Sequence, residues 1–212
     1  MDGVTTLEPP DPATVDGRRA RGERTRAAII SAFVALIEEG EHKPTGARIA
    51  ARAGTSVRAL WANFTDLETL YGATGELLLA RQDARGTDIP AELPLAERID
   101  RFCVQRAGLL EDIAPFARAN RLREPFSAAL RHNRRRFLDR IARDVQGVFG
   151  AELDRVGERR EDVLLALTAS ASWSWWSVLR DDFQLDVAHC TEIMRTTVTR
   201  LLTVELVDVG TG

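Results

Sequence analysis

Apolar residues along this chain recur mostly every three or four positions, which is the spacing of one face of an α-helix. Ile29, Ile30, Phe33 and Ile37 follow this spacing up to Gly40, where a first helix is expected to end. No segment alternates apolar and polar residues in the way that a half-buried strand does. The pattern therefore predicts an all-α protein of about eight to ten helices.

Glycine and proline residues mark where the later helices are expected to begin and end. The predicted segments are a helix from about 66 to 84, a helix through Ile113, a short helical piece between Pro115 and Pro125, a long helix ending near Gly150, and two long helices over 162–183 and 187–207.

Residues 45–64 have the pattern of two short helices joined by a tight turn. Thr45 and Ser56 are residue types that cap helix N-termini, and Gly54 supplies the positive φ that ends the first helix. Leu60 and Phe64 share the predicted core face of the second helix. The opposite face remains for a partner, and a helix-turn-helix offers such a face to the DNA major groove. That face carries Val57, Arg58, Ala59, Trp61 and Asn63.

Thr65 to Glu68 match the S/T-x-x-E capping box, so we predict that Thr65 caps a further helix starting directly after Phe64. Ala50 is small where the two short helices are expected to approach closely. The alternative to a helix-turn-helix is an ordinary helical core in which a glycine and a serine occur at a bend by chance.

Charge is distributed unevenly along the chain. Residues 18–65 carry nine basic and four acidic side chains, a net charge of +5, whereas the whole chain has a net charge of −3. DNA binding depends on the local field of the binding unit, so this segment favours DNA as a partner. Five arginines near the first helix either contact phosphates or the minor groove or belong to a solvated tail. They are Arg18, Arg19, Arg21, Arg24 and Arg26.

Residues 24–70 resemble the DNA-binding domain of the tetracycline-repressor (TetR) family of bacterial regulators. The likeness is carried by residues 28–30, 49–56 and 60–64, followed by Glu68 and Leu70. It implies a larger C-terminal domain that encloses a small-molecule pocket. It also implies a homodimer formed through the last two long helices.

The chain departs from the family pattern at Trp61, Asn63 and Leu67, where relatives usually carry Tyr, His or Tyr, and Lys. Leu67 cannot contact a phosphate by charge or hydrogen bond. We predict that Arg58 reads a base, preferably guanine, while Val57 or Ala59 touches thymine methyl groups. The predicted phosphate contacts are Thr45, Arg48, Ser56, Trp61 and Asn63.

The expected domain organisation follows from these assignments. It comprises a flexible N-terminal tail over 1–21, a helix-turn-helix domain over 22–70 whose last helix continues to about 84 as a connector, a helical ligand-binding and dimerisation domain over 71–207, and a flexible C-terminus over 208–212.

Support for pairing of two copies comes from the last helix, which alternates medium and small side chains suited to close packing. These are Cys190, Met194, Thr197, Val198 and Leu201. One of the nearby tryptophans, Trp173, Trp175 and Trp176, is a candidate for the interface, and the alternative is that all three fill the core of one chain.

Arg106 falls on the apolar stripe of its predicted helix, where an unpaired charge is costly. It therefore needs a carboxylate, a carbonyl group or a ligand. One hypothesis is an aromatic pocket in which Arg106 or Asn133 orients a polar or anionic compound. The alternative is that these residues serve packing alone. The proposed aromatic members are Phe102, Phe137, Trp173 and Trp176.

The sequence offers no catalytic motif, and we predict neither an enzyme nor a cofactor. His189, Cys190 and Glu192 lack the further ligands that a metal site needs. Cys103 and Cys190 are expected to be buried, inert thiols, with a redox switch as the alternative. The absence of a signal peptide or a membrane-spanning apolar run predicts a soluble cytoplasmic protein at the nucleoid.

Taken together, these features predict a homodimeric repressor that a small-molecule effector releases from a palindromic DNA operator. The first alternative is an architectural DNA-binding protein that needs no ligand and has little sequence preference. The second is a helical enzyme, for which no catalytic set is visible.

Overall fold

The computed structural model describes residues 12–203, with side chains described from Arg19 onward. This range contains nine α-helices and no strand, so the all-α prediction is confirmed. The helices are α1 (Pro12–Glu38), α2 (Gly46–Arg52), α3 (Val57–Asn63), α4 (Leu67–Arg85), α5 (Leu95–Asn120), α6 (Ala128–Arg155), α7 (Arg160–Ser170), α8 (Trp173–Ser177) and α9 (Val187–Thr203).

The chain divides into two compact units, the first ending at Thr74 and the second beginning at Gly75. Helix α4 contributes its first two turns to the first unit and its remaining residues to the second. The first unit contains the helix-turn-helix, formed by α2 and α3.

The core of the first unit is built from the apolar faces of α1, α2 and α3 together with the start of α4. Ile29, Ile49, Leu60, Phe64 and Leu70 are all fully buried there. These positions recur at helical spacing, which is why amphipathic helices as short as α2 and α3 are stable in this unit.

In the second unit, α5 packs against α9, and α6 packs against α7. Trp176 is fully buried, and the rings of Phe102 and Phe149 meet edge to face with centroids 5.3 Å apart. The core of this unit is thus formed within one chain.

The side chains of α9 that were expected to pack against a second copy lie mainly inside the protein. Cys190, Met194 and Val198 are fully buried, while Thr197 and Leu201 are half-buried. The spacing identified a buried face correctly, but that face packs on α5 and α7. These residues therefore give no support to a homodimer.

Pro115 lies inside α5, so the prediction of a separate segment between Pro115 and Pro125 is wrong. A proline removes one backbone N–H and normally breaks a helix. Here Ile113 and Ala114 are buried beside it, and their packing outweighs that local cost. Beyond Asn120 a turn leads to a short 3₁₀ helix at Glu124–Phe126.

The helix predicted over 162–183 is interrupted. Helix α7 ends at Ser170, Ser172 caps α8, and a π-helical turn at Val178–Asp182 follows. The Ser172 hydroxyl donates to the carbonyl of Ala169 at 2.7 Å, so this side chain takes up backbone bonding capacity that a continuous helix would use.

Two other helix ends differ from expectation. Helix α6 continues to Arg155, and the glycine signal near Gly150 marks a kink at Phe149 (φ −121°, ψ 19°). Helix α1 begins at Pro12, so part of the tail expected over 1–21 is helical. Residues 1–11, 204–207 and the expected C-terminus 208–212 lie outside the described residues.

Candidate functional site

The turn between α2 and α3 is held by the residues that the sequence indicated. The Thr45 hydroxyl oxygen accepts a hydrogen bond from the Arg48 N–H at 3.3 Å, and that of Ser56 accepts from the Ala59 N–H at 3.1 Å. Gly54 has φ +65°, which an L side chain rarely adopts. Both predicted caps and the glycine turn are confirmed.

The two helices approach each other closely at Gly46, while Ala50 is buried. A Cβ atom on Gly46 would lie 2.8 Å from Cζ2 of Trp61, which is shorter than any normal contact. The indole therefore packs on the first turn of α2 while Trp61 remains 40% exposed. The sequence indicated Ala50 for this role and gave no reason to choose Gly46.

Helix α4 is capped by Asp66 and not by Thr65, so the predicted capping box is wrong in its first member. The Asp66 carboxylate accepts from the Thr69 N–H at 2.8 Å and from the Thr69 hydroxyl at 2.6 Å. These hydrogen bonds lower the pKa of Asp66. Aspartate serves as well as threonine at an N-cap, and here it is one residue nearer to the helix.

The outer face of α3 is open to solvent. Arg58 is exposed and Val57 is 43% exposed, whereas Ala59 and Asn63 are half-buried. Leu60 and Phe64, on the opposite face, anchor the helix in the core. Helix α3 thus has one face fixed in the core and the opposite face accessible to a partner.

The arginines of the motif differ in their partners. Arg48 forms an ion pair with Glu41 at 3.1 Å, and Arg52 forms a two-point ion pair with Glu39. Arg58 has no hydrogen-bond or ion-pair partner among the described residues. Its guanidinium is therefore the one within α2 and α3 that can bind an external acceptor without breaking an existing contact.

The basic side chains of α1 also divide into two groups. Arg21 and Arg24 are exposed and have no partner in the described part of the chain, whereas Arg19 pairs with Glu23 at 3.3 Å. The side chain of Arg18 lies outside the described residues. Two cations on α1 are thus available to phosphates.

Arg26 performs a structural role that its sequence position alone did not reveal. Its Nη1 donates to the carbonyl of Asn63 at 2.9 Å, and its guanidinium lies 4.2 Å from the centroid of the Phe64 ring. The carbonyls of the last turn of a helix lack helical partners, so Arg26 caps the C-terminus of α3. Its position three residues before Ile29, on the apolar stripe of α1, was the available signal.

Asn63 is the predicted DNA contact with the least freedom. Its side-chain Nδ2 donates to the Ala59 carbonyl at 2.8 Å, so one of its two amide N–H groups is already used. A single N–H remains for a phosphate.

We expect Arg26→Met to lower the free energy of unfolding of the first unit by about 2 kcal/mol, because a hydrogen bond from a charged group and a cation–π contact are both lost. Hydrogen exchange of the α3 amides measures this change locally. Arg24→Met is the matched control on the same helix, and an equal effect of both variants would contradict the role of Arg26.

The second unit contains a cavity of about 90 Å³. Four of the predicted pocket residues line it, namely Arg106, Asn133, Phe137 and Trp173. The other two, Phe102 and Trp176, do not. Phe102 packs against Phe149, and the indole N–H of Trp176 donates to Glu111 at 2.7 Å. Helical spacing predicts correctly that all six side chains point into the protein. It does not predict which of them line the same cavity.

Arg106 is 3% exposed, and its Nε–H donates to the carbonyl of Ala171 at 3.0 Å. Ala171 is the C-cap of α7, so this bond satisfies a backbone group at the interruption between α7 and α8. Burial, together with the nearby positive charge of Arg140, lowers the pKa of Arg106 to about 10. The side chain is therefore still a cation at neutral pH.

The fold resembles that of a transcriptional regulator of known structure. The chain covers 95% of that crystal structure, a protein from Rhodococcus sp. Rha1, over 85% of its own length, with a TM-score of 0.61 and 18% sequence identity. At this identity the likeness establishes the shared fold, an all-α chain with an N-terminal helix-turn-helix unit and a larger helical unit. No protein-family model and no curated protein matches the sequence.

Membrane spans and metal clusters are both absent from the described part of the chain. Over residues 12–203, no helix combines the length and the apolar composition that a membrane span requires. The described side chains also contain no cluster of three or more His, Cys, Asp or Glu residues that could hold a metal ion. Cys103 and Cys190 are buried free thiols, and burial raises the pKa of Cys103 to about 12.

Proposed function

We propose that this protein is a sequence-specific DNA-binding transcriptional regulator. The observation that carries the proposal is the exposed face of α3, where Arg58 has no partner among the described residues while the rest of the helix is capped by Ser56 and anchored by Leu60. An arginine so placed near the start of a second helix fits the fork of guanine O6 and N7 acceptors in the major groove. The structurally similar Rhodococcus protein is a transcriptional regulator, which supports this function.

The predicted phosphate contacts are compatible with the bonds that they already make. Thr45 and Ser56 use their hydroxyl oxygens as acceptors in the two caps, so the hydroxyl protons remain to donate to phosphate oxygens. Trp61 offers its indole N–H, and Arg48 would exchange Glu41 for a phosphate. Val57 and Ala59 flank Arg58 and are our candidates for contact with thymine methyl groups.

The proposal includes membership of the TetR family and a homodimer. Family membership is supported by the motif resemblance over residues 24–70 together with the helical two-unit fold. A second copy would bring a second α3 helix to the DNA and so double the contact that one short helix makes with the duplex.

The proposal extends to repression that is released by a ligand. A ligand that binds one conformer better than another shifts the equilibrium between them, and operator affinity falls by the difference in binding free energy. Helix α4 is our candidate for the element that transmits the conformational change from the second unit to the first, because its residues belong to both units. Such a regulator works at the nucleoid, in the cytoplasm.

Selection of duplexes from a random DNA library tests this function, with sedimentation reporting how many chains bind each duplex. We expect enrichment of an inverted repeat whose half-sites lie about 10–10.5 base pairs apart, or a multiple of that, with two chains bound. Retention of all sequences alike would overturn the proposal and favour the architectural alternative. An absence of DNA binding would overturn both.

A further inference from the structure

The cavity of the second unit contains a cation that the protein does not neutralise. The guanidinium of Arg106 has five N–H donors, and only the Nε–H has a partner within residues 12–203, the Ala171 carbonyl at 3.0 Å. The one acidic residue among the described residues that line the cavity, Glu124, is paired with Arg134 at 2.8 Å. Because Arg106 is 3% exposed, its charge is also poorly compensated by water.

An unused hydrogen-bond acceptor belongs to another residue of the cavity wall. Asn120 is 4% exposed, and its Nδ2 donates to the carbonyl of Phe116 at 2.9 Å. Its Oδ1 is buried and has no hydrogen-bond partner among the described residues. Buried side-chain oxygens in native proteins nearly always have one, so an O–H or N–H donor from a ligand would complete this site.

Most of the remaining lining is apolar, the polar exceptions being Asn133, Arg134, Ser172 and Ser174, and the space is small. Phe137, Trp173 and Ile141 are among the lining residues, and the cavity volume is about 90 Å³. For comparison, an engineered protein cavity of roughly 150 Å³ binds benzene. The present cavity is smaller but partly open to solvent, so a single-ring compound that protrudes from the opening is the largest ligand to expect, and a nucleotide is too large.

We propose that this cavity binds a small organic carboxylic acid with an apolar body and one hydroxyl or N–H group. Its carboxylate pairs with the free N–H groups of Arg106, its donor bonds to Oδ1 of Asn120, and its body lies against Phe137 and Trp173. The planar fork of an arginine matches the two oxygens of a carboxylate. That such an acid is the effector of the regulator rests on the proposed function. That the cavity binds the acid does not.

The probes are the three hydroxybenzoate isomers, the corresponding neutral hydroxybenzamides and benzoate, titrated calorimetrically into the full chain without DNA. We expect at least one hydroxybenzoate to bind at least about 10-fold more tightly than its amide, because a charge-assisted hydrogen bond is replaced by a neutral one. We expect benzoate to bind about 5-fold more weakly than that isomer, because Asn120 again lacks a donor.

Variants assign these differences to residues. Arg106→Gln should remove the preference for acid over amide, and Asn120→Leu should remove the preference for hydroxybenzoate over benzoate. Arg101→Gln, an exposed position on the same helix, is the control and should change neither. If circular dichroism shows that Arg106→Gln is unfolded, Arg106→Lys replaces it, and its loss of the forked contact should weaken acid binding.

The proposal is overturned if no hydroxybenzoate binds, if acids and amides bind alike, or if folded Arg106 variants bind as the unchanged chain does. Because the titration contains no DNA, a failure of DNA binding would not contradict the proposed ligand site. Conversely, a regulator that selects an operator but ignores these acids would retain the proposed function and lose only this assignment.

Discussion

Replacing Glu152 with leucine is expected to lower the free energy of unfolding by about 3–5 kcal/mol, because it leaves a buried guanidinium without its counter-charge. Arg98 and Glu152 form a two-point ion pair at 2.7 and 2.8 Å, with both side chains almost completely buried. Arg98 also donates to the carbonyls of Leu93 and Val148. Denaturant unfolding followed by circular dichroism measures the change.

The double variant Arg98→Met with Glu152→Leu separates the cost of an unpaired buried charge from the contribution of the ion pair itself. We expect it to recover most of the lost stability, because an apolar pair of similar size needs no counter-charge. Glu97→Gln is the control, since Glu97 pairs with Arg101 on the protein surface and such pairs contribute roughly 0–1 kcal/mol. Equal losses in Glu152→Leu and Glu97→Gln would contradict the importance of burial.

The same pair carries a pH signature. The hydrogen bond from Arg98 lowers the pKa of Glu152 in the folded chain. The stabilisation is therefore complete above the ordinary glutamate pKa of about 4.3 and is lost as the pH falls through the lowered folded value. The stability difference between the unchanged chain and Glu152→Leu should shrink in that acidic range.

Replacing Arg58 with alanine is expected to reduce the preference for a selected operator over a scrambled duplex by about 1–3 kcal/mol per half-site. The reason is that a base-edge contact distinguishes sequences whereas a phosphate contact does not. Arg58 is free to make it because, within the described residues, no acid or carbonyl group occupies its guanidinium. Competition binding at a fixed salt concentration gives the ratio of the two affinities.

Arg21→Ala provides the matched comparison, since Arg21 is also exposed and without a partner in the described chain but lies on α1. We expect it to weaken binding to both duplexes similarly and to reduce the salt dependence. If Arg58→Ala behaved in the same way, Arg58 would be a phosphate contact and base readout would have to come from another residue.

Local chemistry was sufficient to predict the helix-turn-helix. Thr45 and Ser56 cap, and Gly54 turns, because each acts on backbone groups within a few residues of itself. The same reasoning chose the wrong cap for α4, where Thr65 and Asp66 are adjacent and both capable. The sequence groups Arg26 with the surface cations, because its partner, the Asn63 carbonyl, is distant in sequence.

Longer-range packing limits what the sequence can reveal about the second unit. Arg106 was correctly expected to need a partner, but nothing local indicates that the partner is the Ala171 carbonyl at an interrupted helix. Pro115 is tolerated because its neighbours are buried, which a helix-breaking rule cannot anticipate. Phe102 and Trp176 share inward faces with the cavity residues, yet they meet other parts of the core.

Protection of the selected duplex from dimethyl sulfate tests whether α3 enters the major groove. This reagent methylates guanine N7 in the major groove and adenine N3 in the minor groove. We predict that the bound protein protects one guanine N7 in each half-site, and that Arg58→Ala restores its reactivity. If every guanine N7 stays reactive in the complex while adenine N3 is protected, α3 does not read the major groove and the proposed mode of DNA recognition is wrong.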